Sequence, residues 1–240
     1  DGFSLGTSDE VNGTYNYASW NWKANGQGSS NTDGSINTTY TSANTTSGFS
    51  ISTYTGTGSA ATVGHGLGVV PSVMIVKRTN STGDWVMYHK SLGNGKNIRM
   101  NDTGAEDTSS AVWNATTPTS SVFSVGTFAE TNGSSDTFVA YCFAEKQGYS
   151  KFGTFTASNP CFVYTGFKPA FVMLKRYSAT GNWSILDNKR ANSFNPQDPL
   201  YANATDAEQT SDDYDLVSNG FVIRNASGGG GGDSGGYIYL

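Results

Sequence analysis

His65 stands among glycines in Gly64-His65-Gly66-Leu67-Gly68, where bare backbone would let a ligand approach an imidazole that titrates near neutrality. The other histidine, His89, closes Trp85-Val-Met-Tyr-His89, and neither has the His-Glu-x-x-His spacing of a zinc enzyme. Two cation pairs, Lys77-Arg78 and Lys175-Arg176, could hold an acidic sugar, and Trp85 and Trp183 could stack on sugar rings. These seven residues are the candidate ligand contacts. Each also has a structural reading, and that reading is favoured: a loop histidine held by hydrogen bonds, cations that guard a strand edge, tryptophans in a core. The carboxylates are scattered, so no pair can be nominated for the acid and base of glycoside hydrolysis. Asp212, Asp213 and Asp215 lack the spaced oxygen loop of a calcium site and read as a solvated acidic loop. The run Gly228 to Gly232 is followed by no Lys-Ser/Thr pair and reads as a hairpin tip, not a phosphate loop. Cys142 and Cys161 have no metal-binding spacing; they read as two reduced, buried residues, a disulfide between them being the alternative. The sequence therefore assigns no catalytic residue, no cofactor and no metal.

The elements that would position these side chains are short strands. Ser72 to Arg78 and Ala170 to Arg176 are apolar runs ending in a Lys-Arg pair, as in a strand buried on both faces that emerges into solvent. Each leads through a glycine turn, Asn80-Ser-Thr-Gly83 or Ser178-Ala-Thr-Gly181, into a strand that starts at Trp85 or Trp183, which makes a hairpin. Val122 to Thr127 and Thr137 to Phe143, joined across Glu130-Thr-Asn-Gly133, read as a further hairpin. No segment has helical periodicity. The expected fold is all-β: tandem sandwich-like or jelly-roll-like repeats with hairpins and almost no helix.

Repetition sets the organisation. Pro71 to Trp85 aligns without a gap on Pro169 to Trp183, and Asn101 to Ser109 on Asn203 to Ser211. A second motif occurs at Asp1 to Trp22, Val122 to Phe143 and Asn219 to Leu240. The division that follows is a closing hairpin of a preceding repeat at 1–26, a polar linker or long loop at 27–47, and β repeats at 48–148 and 149–240. The last strand is expected to lack about four residues beyond Leu240, by comparison with Phe138 to Glu145.

Composition narrows the partners. Charged residues are 14% of the 240 and the net charge is −5, so the clustered cations that displace phosphate counterions are missing and nucleic acid is excluded as a partner. No apolar run reaches the roughly 20 residues of a membrane-spanning helix. A surface of hydroxyls and amides suits sugar contacts and dense packing between proteins. Aromatic residues are 13% of the chain, so Tyr, Phe and Trp must supply much of the burial.

Four segments carry a resemblance: 65–78 (HGLGVVPSVMIVKR), 84–93 (DWVMYHKSLG), 137–155 (TFVAYCFAEKQGYSKFGTF) and 162–176 (FVYTGFKPAFVMLKR). They resemble the repeated C-terminal domain of long virion proteins of marine bacteriophages, which often follows LamG-like and SPRY-like domains. The resemblance implies a non-enzymatic role on the virion surface, outside the cell, as part of a tail fibre, spike or head decoration. Its implied partners are other virion proteins, copies of itself (a homotrimer in a fibre) and host-surface polysaccharide. A glycan depolymerase and a cellular surface adhesin are the alternatives.

Overall fold

Alternating and continuous apolar runs bounded by Gly, Asn and Ser leave a chain few options but to build sheets, and it does so twice. The computed structural model describes residues 2–190, 198–210, 213–224 and 235–240. In the first lobe the strands are β1 (Tyr40–Asn44), β2 (Phe49–Thr55), β3 (Ala61–Gly64), β4 (Val73–Arg78), β5 (Trp85–His89), β6 (Lys96–Arg99), β7 (Asp107–Thr108), β8 (Val122–Val125) and β9 (Thr137–Phe143). They form a large antiparallel sheet, β1-β2-β9-β4-β5-β6-β7, and a small one, β3-β8. The second lobe has β10 (Gly153–Thr156), β11 (Cys161–Tyr164), β12 (Phe171–Arg176), β13 (Trp183–Asp187), β14 (Leu200–Tyr201), β15 (Tyr214–Val217), β16 (Gly220–Ile223) and β17 (Gly236–Tyr239). Its large sheet is β10-β17-β12-β13-β14 and its small sheet β11-β16-β15. Among the described residues helix is confined to three single turns, α1 (Asp9–Asn12), α2 (Ser110–Trp113) and α3 (Ala129–Asn132).

The large sheets of the two lobes share a five-strand core in the same order. Without β1 and β7, the first large sheet reads β2-β9-β4-β5-β6, the order of its counterpart. The register agrees as well: Lys77 lies between Trp85 and Val139, and Lys175 between Trp183 and Ile238. The glycine turns made the hairpins expected of them, β4-β5 and β12-β13.

Period-two alternation sorts each large sheet into two apolar faces. In the first lobe Met74, Val76, Val86 and Tyr88 face inward and pack with Val63, Phe123 and Val125 of the small sheet. Val73, Ile75, Met87 and Ile98 face the other way and meet Met173, Trp183, Ile185 and Ile238 of the second lobe in a third core. The layers therefore run small sheet, large sheet, large sheet, small sheet. This is why Val73 to Val76 is apolar without a break: one face serves its own lobe and the other its neighbour.

Polar groups lock the contact between lobes. Trp183 donates its indole N–H to Arg99 O at 2.8 Å, and Lys175 donates to Thr103 O at 3.1 Å and Gly181 O at 2.8 Å. The Gly181 N–H reaches Thr103 O, and the Glu106 N–H reaches Tyr177 O, both at 2.9 Å.

Three expectations need correction. Residues 2–26 hold one turn of helix and no strand; Trp20 and Trp22 pack edge-on against Phe143 of β9 and Phe171 of β12 rather than joining a ladder, because each of those strands already has a partner on both sides. Residues 27–47 are not a linker: they contain β1, a bridge from Ser29 to Thr41 and another from Ile36 to Val63, with Ile36 in the first core. Their hydroxyls and amides replace apolar contacts, as where Ser42 Oγ donates to Gly26 O and Thr38 Oγ1 accepts the Asn31 N–H. Finally, β8 and β9 do not pair. β8 joins β3 and β9 lies between β2 and β4, because Asn132 of the apparent turn is buried in α3, where its side chain bonds Thr57 N, Ser59 O and Gly126 O.

The interlobe contact makes the two equivalent tryptophans unequal. Trp183 is fully buried, whereas Trp85 is 37% exposed and stacks on Tyr141. Trp183→Ala is expected to destabilise the protein by about 3 to 5 kcal/mol and Trp85→Ala by roughly 1 kcal/mol or less, compared by urea unfolding. Equal losses would show that the tryptophans occupy equivalent environments.

Candidate functional site

The seven sequence candidates are not gathered into one site. Six lie on the equivalent hairpins β4-β5 and β12-β13, and His65 follows β3 in the small sheet of the first lobe. The cation pairs do not guard sheet edges, since β4 and β12 are central strands with a neighbour on each side. Lys77 donates to Arg78 O at 2.9 Å, and Arg78 pairs with Asp136 at 3.1 Å. Lys175 is buried between the lobes, and burial pulls its ammonium down to about 8. Arg176 lies beside Gly235.

Both histidines are buried and built into the backbone in the same way. His65 Nδ1 accepts the Leu67 N–H at 3.2 Å, so Nε2 carries the proton and donates to Thr119 O at 3.2 Å. His89 Nδ1 accepts the Ser91 N–H at 3.2 Å, and Nε2 donates across the lobe boundary to Tyr239 O at 3.3 Å. Burial lowers both, His89 to about 4. Lobe two replaces His65 with Thr165, whose hydroxyl donates to Phe167 O at 2.6 Å, and His89 with Asp187, which accepts from the N–H groups of Lys189 and Arg190. Different side chains at these two positions each fasten a loop after a strand.

The remaining candidates have local partners. Asp215 pairs with Arg224 at 2.5 Å, and Asp213 O accepts the Arg224 N–H. Asp212 and Gly228 to Gly232 lie outside the described residues. Cys142 and Cys161 are free thiols in separate cores, and burial pushes Cys142 up to about 12. Among the described residues no three His, Cys, Asp or Glu side chains converge on a common point.

What the structure brings together is a groove along the seam between lobes, which sequence reasoning missed. One part is a cavity of about 560 Å³ whose wall includes Trp22, Phe143, Tyr149, Phe167 and Phe171 and no carboxylate or histidine. It shares Ser150, Lys151, Thr165 and Phe167 with a second pocket of about 340 Å³, where Glu145, Lys146, Gln147 and Tyr164 supply polar atoms. The connector from β9 to β10 forms much of the floor, and the loop after β11 forms the opposite bank. Trp20 fixes the N-terminal wall: its indole N–H donates to Asp187 at 3.0 Å, and the Arg190 guanidinium lies 5.9 Å from its ring centre.

Glu145 is the carboxylate of this groove, and it is engaged. It pairs with Lys90 at 2.7 Å and Lys151 at 3.7 Å and accepts the Phe152 N–H at 3.0 Å. Burial alone would raise its carboxyl, but the hydrogen bonds from Lys90 and Phe152 outweigh that and hold it below the usual range. Tyr149 is 61% exposed and Tyr164 is 64% exposed, so two aromatic faces remain open beside these polar groups. Volume, aromatic lining and a few converging polar atoms are the features of a small-ligand site. The one signal for it in the sequence was Glu145-Lys-Gln-Gly-Tyr-Ser-Lys151, a polar stretch between two strands whose spatial neighbours are distant in the chain.

Residues 1–240 match the model of a family described as a domain of unknown function (DUF7483). No curated protein and no solved structure matches the chain.

Acid should loosen the seam. His89 has a folded value near 4 against 6.5 when free, so between these values the unfolded chain binds more protons. Its contribution is intact above about pH 6.5 and is lost as pH falls toward 4, by about 3 kcal/mol. Urea midpoints measured across this window should fall, and should fall less in His89→Gln, which cannot take up the proton. An identical slope in both proteins would remove His89 from the account.

Proposed function

The chain belongs to the DUF7483 family, and we propose that it is a non-enzymatic binding module of a virion surface that holds host-surface glycan in the groove between its lobes. One observation carries the reading: open aromatic faces run directly into a pocket of lysine, amide and hydroxyl groups. Sugar rings present apolar C–H faces and a rim of hydroxyls, and this lining answers both. The Lys146 ammonium, next to the Lys151–Glu145 pair, favours a polysaccharide that bears carboxylates.

The same lining favours binding over hydrolysis. Glycoside hydrolysis uses two carboxyl groups at a set separation, one acting as acid and the other as base or nucleophile. Glu145 is tied to two lysines and one backbone N–H and has no second carboxylate beside it among the residues lining the groove. A protein repeated along a fibre or over a capsid gains avidity from weak sites, so modest affinity per groove suits such a role. Resemblance to phage virion domains supports the location, and a composition poor in charge supports neutral hydrogen bonding to sugars.

The test is to pass purified protein over a panel of immobilised bacterial surface polysaccharides and to follow reducing ends in solution. Binding that falls roughly tenfold, about 1.4 kcal/mol, in Tyr149→Ala and in Trp22→Ala, with no release of oligosaccharide, is the expected result. Release that disappears in Glu145→Gln would make the protein a depolymerase instead.

A further inference from the structure

The third core does not close evenly along the seam. From the first lobe it draws its buried side chains from β4, β5 and β6, and from the second mainly from β12, β13 and β17. Beyond β4, Tyr141 of β9 and Ile51 of β2 continue the row of Ile75 across the large sheet, on the face turned toward the second lobe. Both are only half-buried, and Ile51 belongs to none of the three cores. These three side chains, with Phe171 and Met173 of β12, line the cavity of about 560 Å³.

A strap of the chain also lines it, through Trp20, Asn21 and Trp22. The strap is fastened on both sides of the seam: the Trp20 indole N–H reaches Asp187 of the second lobe, the Lys23 carbonyl accepts from the Asn44 side chain at 3.2 Å, and the Asn25 N–H donates to Ser42 Oγ at 2.8 Å, both in β1. A space walled by two apolar sheets and two indoles offers dispersion contact and few hydrogen bonds. A sugar ring or a peptide pushed into it would leave hydroxyl or amide groups without partners, at the cost of their desolvation. A saturated chain brings no such groups. The second pocket shares Ser150, Lys151, Thr165 and Phe167 with the cavity and has the opposite character, with Glu145, Lys146 and Gln147 in its wall. A single ligand that spans the two has to be amphiphilic.

We propose that the ligand of this groove is a saccharide carrying an alkyl or acyl chain, with the chain in the apolar cavity and the sugar at its mouth, against Tyr149, Lys146 and Gln147. The inference rests on the reading of the groove as a glycan site and narrows its ligand to a glycolipid.

The probes are methyl, butyl, hexyl and octyl glucuronides below their micelle concentrations, titrated into the full chain by calorimetry. Affinity should rise about fourfold for each methylene that enters the cavity, so that the octyl compound binds at least roughly tenfold more tightly than the methyl one. The heat-capacity change of binding should grow more negative along the series. Ile51→Glu, at a half-buried position, should flatten the dependence on chain length, and Lys146→Gln should weaken every member by a similar factor. A smaller gain in the unaltered protein would overturn the proposal and leave the glycan reading in place. Phenyl glucuronide that binds more tightly than the octyl compound would also overturn it, in favour of an aromatic substituent. Octanol that binds as tightly as octyl glucuronide would overturn both readings, since the sugar would then contribute nothing. If no glucuronide binds while immobilised polysaccharide does, the chain site falls alone; if neither binds, both readings fall.

Discussion

Each large sheet carries apolar side chains on both faces, and a sheet of that kind cannot stand with water on one side. Val73, Ile75, Met87 and Ile98 on one lobe have no use unless Met173, Trp183, Ile185 and Ile238 of the other cover them. Back-to-back packing follows from this requirement, and the rest of the molecule adjusts to it. The buried seam lends weight to the few polar bonds that cross it, since a donor such as the Trp183 indole or the Lys175 ammonium would be costly to leave unpaired there. The groove is the place where residues of both lobes leave aromatic side chains facing a gap.

The repeats have kept their framework and exchanged their side chains where the seam treats them differently. Lys77 and Lys175 hold the same register, yet one bonds its own hairpin and the other is enclosed between lobes with a depressed affinity for its proton. His89 reaches across to Tyr239, whereas Asp187 turns to Arg190 and Trp20. A two-lobed protein with an exact internal symmetry would have presented identical outer edges. Here the segment before β1 covers β3, and among the described residues β11 pairs with β16 alone.

Local features of the sequence were good guides wherever the physics is local. The glycine turns before Trp85 and Trp183 predicted two hairpins, and the unbroken apolar runs before them predicted strands buried on both faces. Asn132-Gly133 misled for the same reason: it has the chemistry of a hairpin turn, but the Asn132 amide satisfies three backbone groups that are far away in the chain. The segment 27–47 looked like a linker because hydroxyl and amide side chains leave no apolar pattern, although they can satisfy backbone groups as well as a ladder does. None of the seven singled-out side chains lies in the groove lining. They were chosen for reactivity and recurrence, while the groove is made by Trp22, Tyr149, Phe167 and Phe171, aromatic residues that resemble core positions until the lobes are placed.

That difference bears on the kind of activity this architecture can support. Acid–base chemistry needs groups whose proton affinities are set apart from one another around one substrate. Here the displaced groups are spent on structure: His65 and His89 are neutral and tied to carbonyls, Cys142 is a protonated core thiol, and Glu145 is an ion-paired anion. Along the groove the groups open to a visitor include the faces of Tyr149 and Tyr164, lysine ammonium groups and the hydroxyl and amide rim between them, which offer stacking and hydrogen bonds. The four-layer packing folds the backbone beneath these groups before a ligand arrives, so the ordering cost of binding falls on the exposed side chains.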